Sequence, residues 1–190
     1  MHIDNQILTI PNPNKQKTAV RIQFDLRTLF TAETRVEEIA CVTPLKGPEL
    51  MAVFSVALRD LSTYLAQLHY HCATASRIKR ERRAVVVTEV IPTKLAERKL
   101  SNNDSTREAI IELDPEYSAI SDMENEVEAA FIFVREKLKT IESHLNALKK
   151  AMDATSSLVS LPNPNLIQTQ TPPEPVSVAP NGLLIGKARI

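Results

Sequence analysis

The sequence predicts a mainly α-helical protein built on a long antiparallel, coiled-coil-like helical hairpin. A small β-containing segment precedes the hairpin, and an extended proline-rich tail follows it. Two stretches place apolar residues at alternating steps of three and four, which keeps one apolar stripe on one side of a helix. The chain of 190 residues has no glycine between Gly47 and Gly182, so no glycine interrupts either stretch. The first stripe is Met51, Phe54, Leu58, Leu61, Leu65, Leu68, Cys72 and Ala75, and the second is Val127, Phe131, Val134, Leu138, Ile141, Leu145, Leu148 and Met152.

The segment over residues 1–47 is predicted to hold an arm and the β-structure. Residues 1–17 form the arm, which Pro11-Asn12-Pro13-Asn14 breaks. Apolar and polar side chains alternate over residues 20–27, which predicts a strand. Ile7, Leu8 and Ile10 indicate a second short strand earlier in the chain.

Capping signals place the helices that follow. Thr34 and Glu37 have the spacing of a capping box, which predicts a short helix to about Cys41. Pro48 sits at a permitted first-turn position, and the first long helix is predicted over residues 49–91, ending before Pro92.

The return half of the hairpin has its own start signals. Ser105 and Glu108 match a second capping box, which predicts a short helix through Ile111. Asp114, followed by Pro115, is a strong helix start and predicts the second long helix over residues 115–153. Two rods of similar length joined by a compact turn are expected to fold back on each other, so residues 48–153 form the hairpin.

Residues 154–190 are predicted to be an extended tail, because closely spaced prolines prevent a helix there. The apolar run Leu183-Leu184-Ile185 lies beyond the prolines. We expect residues 183–190 to dock as a strand on a sheet edge near residues 20–27, in the same or a neighbouring subunit.

Composition excludes several classes of function. The net charge is zero, so attraction to nucleic acid would have to come from local clustering. No apolar stretch approaches the length of a membrane span, and the amino-terminal residues lack the features of a signal peptide. Cys41 and Cys72 show no metal-binding spacing, and reduced thiols and a cytoplasmic location are expected. Neither a catalytic set nor a metal or cofactor motif is found, so we expect no enzyme and no cofactor.

A basic cluster is the most suggestive feature for function. Its cations lie at the end of the first long helix and just beyond Pro92, where the apolar stripe fades. Arginine binds phosphate in a forked geometry, so such a cluster can contact single-stranded DNA. The neighbouring Tyr70 and His71 can stack on bases. The predicted DNA-binding residues are Arg77, Lys79, Arg80, Arg82, Arg83, Lys94, Arg98 and Lys99.

Charge pairing within the hairpin is the alternative for the same cluster. Residues 108–128 are rich in Asp and Glu, and an antiparallel hairpin brings them to the same end as the basic cluster. Salt bridges within or between subunits would then absorb most of the positive charge, and the two uses can coexist on different faces.

The stretch from about Leu65 to Met152 resembles phage recombination mediators of the UvsY type. The resemblance lies in the Ala- and Arg-rich helix over 73–84, the short helix around Arg107-Glu108-Ala109, and Leu113-Asp114-Pro115-Glu116-Tyr117 opening a long amphipathic helix. It implies a ring-forming helical hairpin that binds single-stranded DNA and helps load a RecA-like recombinase in the cytoplasm of a bacterial host.

A structural role is the competing hypothesis. A rigid hairpin with extended arms at both ends suits a subunit of a phage particle or another large assembly, in which arms dock on neighbouring subunits and the protein resides in the virion. Both hypotheses share one expectation. The stripes are broader than a two-helix seam requires, which predicts a homo-oligomer.

Overall fold

The computed structural model describes residues 1–15, 20–99 and 101–159, and within them the predicted hairpin is confirmed. Three strands and three short helical segments precede the two long helices, the segments being Pro13–Lys15, Arg27–Thr34 and Val36–Cys41. The strands are β1 (His2–Asp4), β2 (Ile7–Pro11) and β3 (Arg21–Asp25), and the helices are α1 (Arg27–Thr34), α2 (Gly47–Val85), α3 (Ile91–Arg98), α4 (Asp104–Glu112) and α5 (Pro115–Val159).

The strands form an antiparallel sheet in the order β1-β2-β3. Leu8 lies opposite Phe24 in its register, and both side chains are buried against the helices. The predicted strands at residues 7–10 and 20–27 are thus present, although β3 ends at Asp25. The Asp25 carboxylate accepts a hydrogen bond from the Arg27 backbone N–H at 3.0 Å, which turns the chain into α1.

The short elements before α2 differ from the prediction. The Thr34 hydroxyl donates to the Thr31 carbonyl at 2.9 Å within α1, so it does not cap a following helix. Residues Val36–Cys41 form a 3-10 helix without a side-chain cap. Helix α1 was not predicted; it buries Leu29 and Ala32, and Leu26 directly before it is buried as well.

Pro92 does not end the first long helix. A π-helical turn over Val86–Val90 carries the helical backbone past the proline into α3. The Ile91 N–H donates to the Val86 carbonyl five residues back, and this wider turn makes room for a ring that would clash in a regular α-helix. The predicted boundary at residue 91 is therefore wrong, and helical geometry continues to Arg98.

The caps of the return half are partly as predicted. The Asn103 side chain accepts from the Thr106 N–H at 2.8 Å, so Asn103 rather than Ser105 caps α4. Asp114 caps α5 as predicted, accepting from the Tyr117 N–H at 2.8 Å. Helix α5 runs to Val159, beyond the predicted end at 153. The predicted docking strand of residues 183–190 lies outside the described residues.

The long helices pack antiparallel, and the sheet covers one side of the pair. At the open end Gly47 meets Met152 so closely that an added Cβ would lie 2.8 Å from the Met152 side chain. On the covered side, the Tyr64 hydroxyl donates to the Asp25 carbonyl and Lys137 pairs with Glu33. One apolar cluster joins the sheet, α1 and both long helices.

Candidate nucleic-acid interface

The basic cluster lies near the hairpin turn, where α2 faces the start of α5. The seam there is polar: the Ser76 hydroxyl donates to Glu124 at 2.6 Å, and Lys79 reaches the same carboxylate at 2.7 Å. Lys79 also lies 5.9 Å from the centre of the Tyr117 ring. The predicted neighbourhood of basic and acidic stretches is confirmed.

Arg82 is the most extensively paired cation of the cluster. Its Nε and one terminal nitrogen donate to the two oxygens of Asp114, at 3.0 and 2.7 Å. Its other terminal nitrogen lies 2.7 Å from Glu116. The Asp114 side chain is only 6% exposed, so this forked pair is largely removed from water.

Two further cations have carboxylate partners. Arg77 pairs with Glu81 one turn later at 2.6 Å, and both side chains are well exposed. Arg83 contacts Glu108 of α4. Arg77, Lys79, Arg82 and Arg83 are therefore all engaged within the chain, as the charge-pairing alternative predicts.

The other predicted residues have different surroundings. Arg80 is exposed, and its Nε donates at 3.3 Å to the Ser76 carbonyl. Lys94 is half-buried, and Lys99 is exposed with a left-handed backbone (φ 49°) at the end of α3. Among the described residues, these three have no carboxylate at ion-pair distance. Arg98 ends α3, but its side chain lies outside what the structure describes.

The pairing shifts the proton affinity of the groups that it joins. The hydrogen bond from Arg82, helped by the Tyr117 N–H, holds the pKa of Asp114 below its ordinary value against the effect of burial. Burial alone would raise the pKa of Glu124, but its hydrogen bonds with Lys79 and Ser76 lower it overall. The hydrogen bond to Glu124 raises the pKa of Lys79. These carboxylates are therefore charged at neutral pH, and each of their oxygens accepts at least one hydrogen bond.

The aromatic residues beside the cluster are arranged unequally. Tyr70 is 59% exposed, and its ring stands edge-on to His71 at 5.4 Å between centres. His71 is half-buried, its Nδ1 has no hydrogen-bond partner, and burial lowers its pKa. Only Tyr70 is therefore open enough to stack on a base.

Sequence reasoning identified the cluster but not the role of Asp114 as its main acceptor. The signal was available in the order of elements, because the residue that opens the second long helix lies at the turn end of the hairpin, where the basic cluster on the first long helix also lies. In the described parts of the chain, no group of three His, Cys, Asp or Glu side chains is arranged to hold a metal ion. None of the described helices combines the length and apolar character needed to cross a membrane.

No protein-family model matches the chain, and comparison with curated proteins and with solved structures likewise finds no match.

Proposed function

We propose that this protein is a structural subunit of a larger assembly, such as a phage particle, and that its basic cluster serves chiefly to hold its own hairpin together. The observation that supports this proposal is the intrachain pairing of Lys79, Arg82 and Arg83 with Glu124, Asp114 and Glu108. These contacts join α2 to α4 and α5 across the turn.

Paired cations contribute little to nucleic-acid binding. Affinity for a strand grows with the number of counterions that the protein displaces from phosphates. A guanidinium that already has two carboxylates, as Arg82 has, would have to break those contacts before it met a phosphate. The loss would leave Asp114 buried and charged without its cationic partner, which is costly.

Single-stranded DNA binding in the service of recombination is the second candidate, with a RecA-like recombinase as a further partner. The observation that favours it is the position of Arg80, Lys94 and Lys99, which have no described carboxylate at ion-pair distance and follow one another along α2 and α3. One copy would offer only these few cations, so useful affinity would require several copies on one strand.

Fluorescence anisotropy of a labelled oligo-dT, recorded over a salt series with the full chain, separates the two candidates. The structural proposal predicts no binding at moderate salt. The DNA proposal predicts binding whose log–log salt slope falls by about 0.7 for each phosphate contact removed. The test variant is the triple change Arg80→Ala, Lys94→Ala and Lys99→Ala.

The matched control removes three exposed cations far from the cluster: Arg21→Ala, Arg59→Ala and Lys139→Ala. It changes the net charge equally. Binding that survives the control and disappears in the test variant would overturn the structural proposal. Native mass measurement of the same samples completes the experiment, because the structural proposal predicts assembly of the 21.2 kDa chain whether or not oligonucleotide is present.

A further inference from the structure

The face of the hairpin opposite the sheet carries two rows of incompletely buried apolar side chains, one on each long helix. On α2 the row is Met51, Leu58, Leu65 and Cys72, all half-buried. On α5 it is Phe131, Leu138, Leu145 and Met152, which are half-buried except for Leu145, at 8% exposure. The spacing of seven keeps each row on one line along its helix.

The orientation of this face follows from the neighbours of the two rows. Tyr64 and Lys137, each one residue before a member of a row, point to the sheet side, where they contact Asp25 and Glu33. At about 100° per residue, the fully buried Leu61 lies between Tyr64 and Leu65 around α2, and Val134 lies likewise between Lys137 and Leu138 on α5. Leu65 and Leu138 therefore lie on the side of the seam away from the sheet. At about 1.5 Å per residue, each row is about 32 Å long.

Charged residues of alternating sign flank the α5 row on its exposed side. Glu128, Arg135, Glu142 and Lys149 follow one another at intervals of seven, and all four are exposed. Arg135 touches its neighbour Glu136 at 3.4 Å and lies 5.7 Å from the Phe131 ring. For the other three, no ion pair is formed within the described part of the chain.

This order of charges is self-complementary when the helix is reversed. If a second α5 lies antiparallel on the first, Glu128 meets Lys149 and Arg135 meets Glu142, and both pairs share a midpoint between Leu138 and Lys139. Parallel pairing in register would instead place like charges together. In antiparallel coiled contacts, residues at these flanking positions set partner and orientation.

The midpoint of the α2 row lies at nearly the same level along the hairpin as the midpoint of the α5 charge pairs. The centre of the α2 row falls between Leu61 and Ser62. Gly47 lies against Met152, so in the antiparallel pair Leu61 lies at the level of about residue 138. One two-fold axis across the hairpin at this level relates the α2 row to its copy. It also relates Phe131, Leu138 and Leu145 of the α5 row to theirs and leaves Met152 beyond the overlap. The residues flanking the α2 row include Ser55 and Ser62, which are small enough to let helices approach.

We infer that a second copy of this chain packs face to face on these rows, with α5 antiparallel to α5 and Arg135 beside Glu142 of the partner subunit. The symmetry is that of a two-fold interface, in which each pair occurs twice. A face about 32 Å long and two helices wide is small for a stable complex, so the pair is a reversible dimer. The inference holds whether the assembly is structural or binds DNA.

Sedimentation equilibrium of the full chain across the micromolar range tests this interface through charge reversal. Arg135→Glu and Glu142→Arg each place like charges together twice per dimer, and each should raise the dimer dissociation constant about tenfold. The double variant R135E/E142R restores opposite charges and should return the dissociation constant to near the wild-type value. Lys150→Glu, also on α5, is the matched control, because it changes net charge as Arg135→Glu does and should leave the dimer intact.

All of these positions are exposed, so helicity by circular dichroism should remain unchanged. A wild-type monomer throughout the concentration range would overturn the inference. The inference would also be overturned if neither single reversal changed the dissociation constant, or if the double variant did not restore it. DNA binding has no part in these readouts, so failure here is distinct from failure of the proposed function.

Discussion

Helices α2 and α5 are held together differently in the body of the hairpin and in its turn region. In the body, over residues 47–75 and 127–156, the seam is apolar, and Phe54, Leu61 and Val134 are fully buried. In the turn region, over residues 76–124, polar contacts join the helices. Ser76 and Lys79 contact Glu124, and Arg82 contacts Asp114 and Glu116. A separate small core of Val86, Ile91, Ile110 and Ile111 closes the end.

The difference matters because the two kinds of contact respond to different changes. Apolar burial is non-directional and depends little on pH, whereas a buried ion pair depends on both partners being present and charged. The body should therefore set the global stability, and the turn region should be able to open by itself. The following changes test that division.

The largest expected effect is a cavity in the body seam. Phe54→Ala removes a fully buried ring from the cluster that joins the helices to the sheet, and it should lower the free energy of unfolding by about 3–5 kcal/mol. Urea unfolding followed by circular dichroism measures the loss. Ile132→Ala, at a side chain 42% exposed, is the control and should cost far less. Equal losses in the two variants would contradict the assignment of the seam.

Asp114→Ala should have the second largest effect, about 3 kcal/mol, because it leaves Arg82 without its main partner and removes the cap of α5. Asp114→Asn separates the two roles, since asparagine keeps the cap but not the charge, and it should cost about 1 kcal/mol less. Hydrogen exchange should show faster opening of the turn region and little change in the body. Uniform acceleration along both helices would argue against two separate units.

Below about pH 4.5, further acid should loosen the turn region more than the body. The pKa of Asp114 is lowered from 3.8 and that of Glu124 from 4.5 in the folded protein. Groups with lowered pKa values contribute stability that is fully present above their unfolded values and lost as pH falls through the folded ones. The stability that these carboxylates contribute is therefore lost below about pH 4.5.

Hydrogen exchange at a series of pH values checks this expectation, with Asp114→Asn as the comparison. The variant should show a weaker acid dependence in the turn region. Burial also lowers the pKa of His71, from 6.5. Protonation of this residue in the body therefore begins to lower the stability nearer neutral pH, and it does so equally in wild type and variant. An identical acid dependence in the two proteins would contradict the role given to Asp114.

The body was predictable from the sequence to a greater degree than the turn region. Heptad spacing of residues such as Phe54 and Val134 follows from helix geometry alone, and the cap at Asp114 from local hydrogen bonding. The π-helical turn was not predictable, because a proline normally ends a helix and its accommodation depends on the packing of Val86 and Ile91 against α4. For the candidate site, the sequence identified the charges but could not decide which of them pair, because a side chain's partner is fixed by the register of the fold.

Among the described ion pairs of the basic cluster, the smallest effect is expected for the pair that stays within a single helix. Arg77 and Glu81 are one turn apart on α2, both well exposed, and they do not bridge the hairpin. Such pairs contribute about 0.3–0.5 kcal/mol, and salt screens them. Arg77→Ala should therefore barely change urea unfolding. Lys79→Ala, two residues away, should cost more because it removes the ion pair of the half-buried Glu124 and leaves Ser76 as its described hydrogen-bond partner. Both changes remove one positive charge from the same helix, so their comparison isolates the contribution of contact across the seam. Equal effects would mean that the cations of this helix act only through their summed charge.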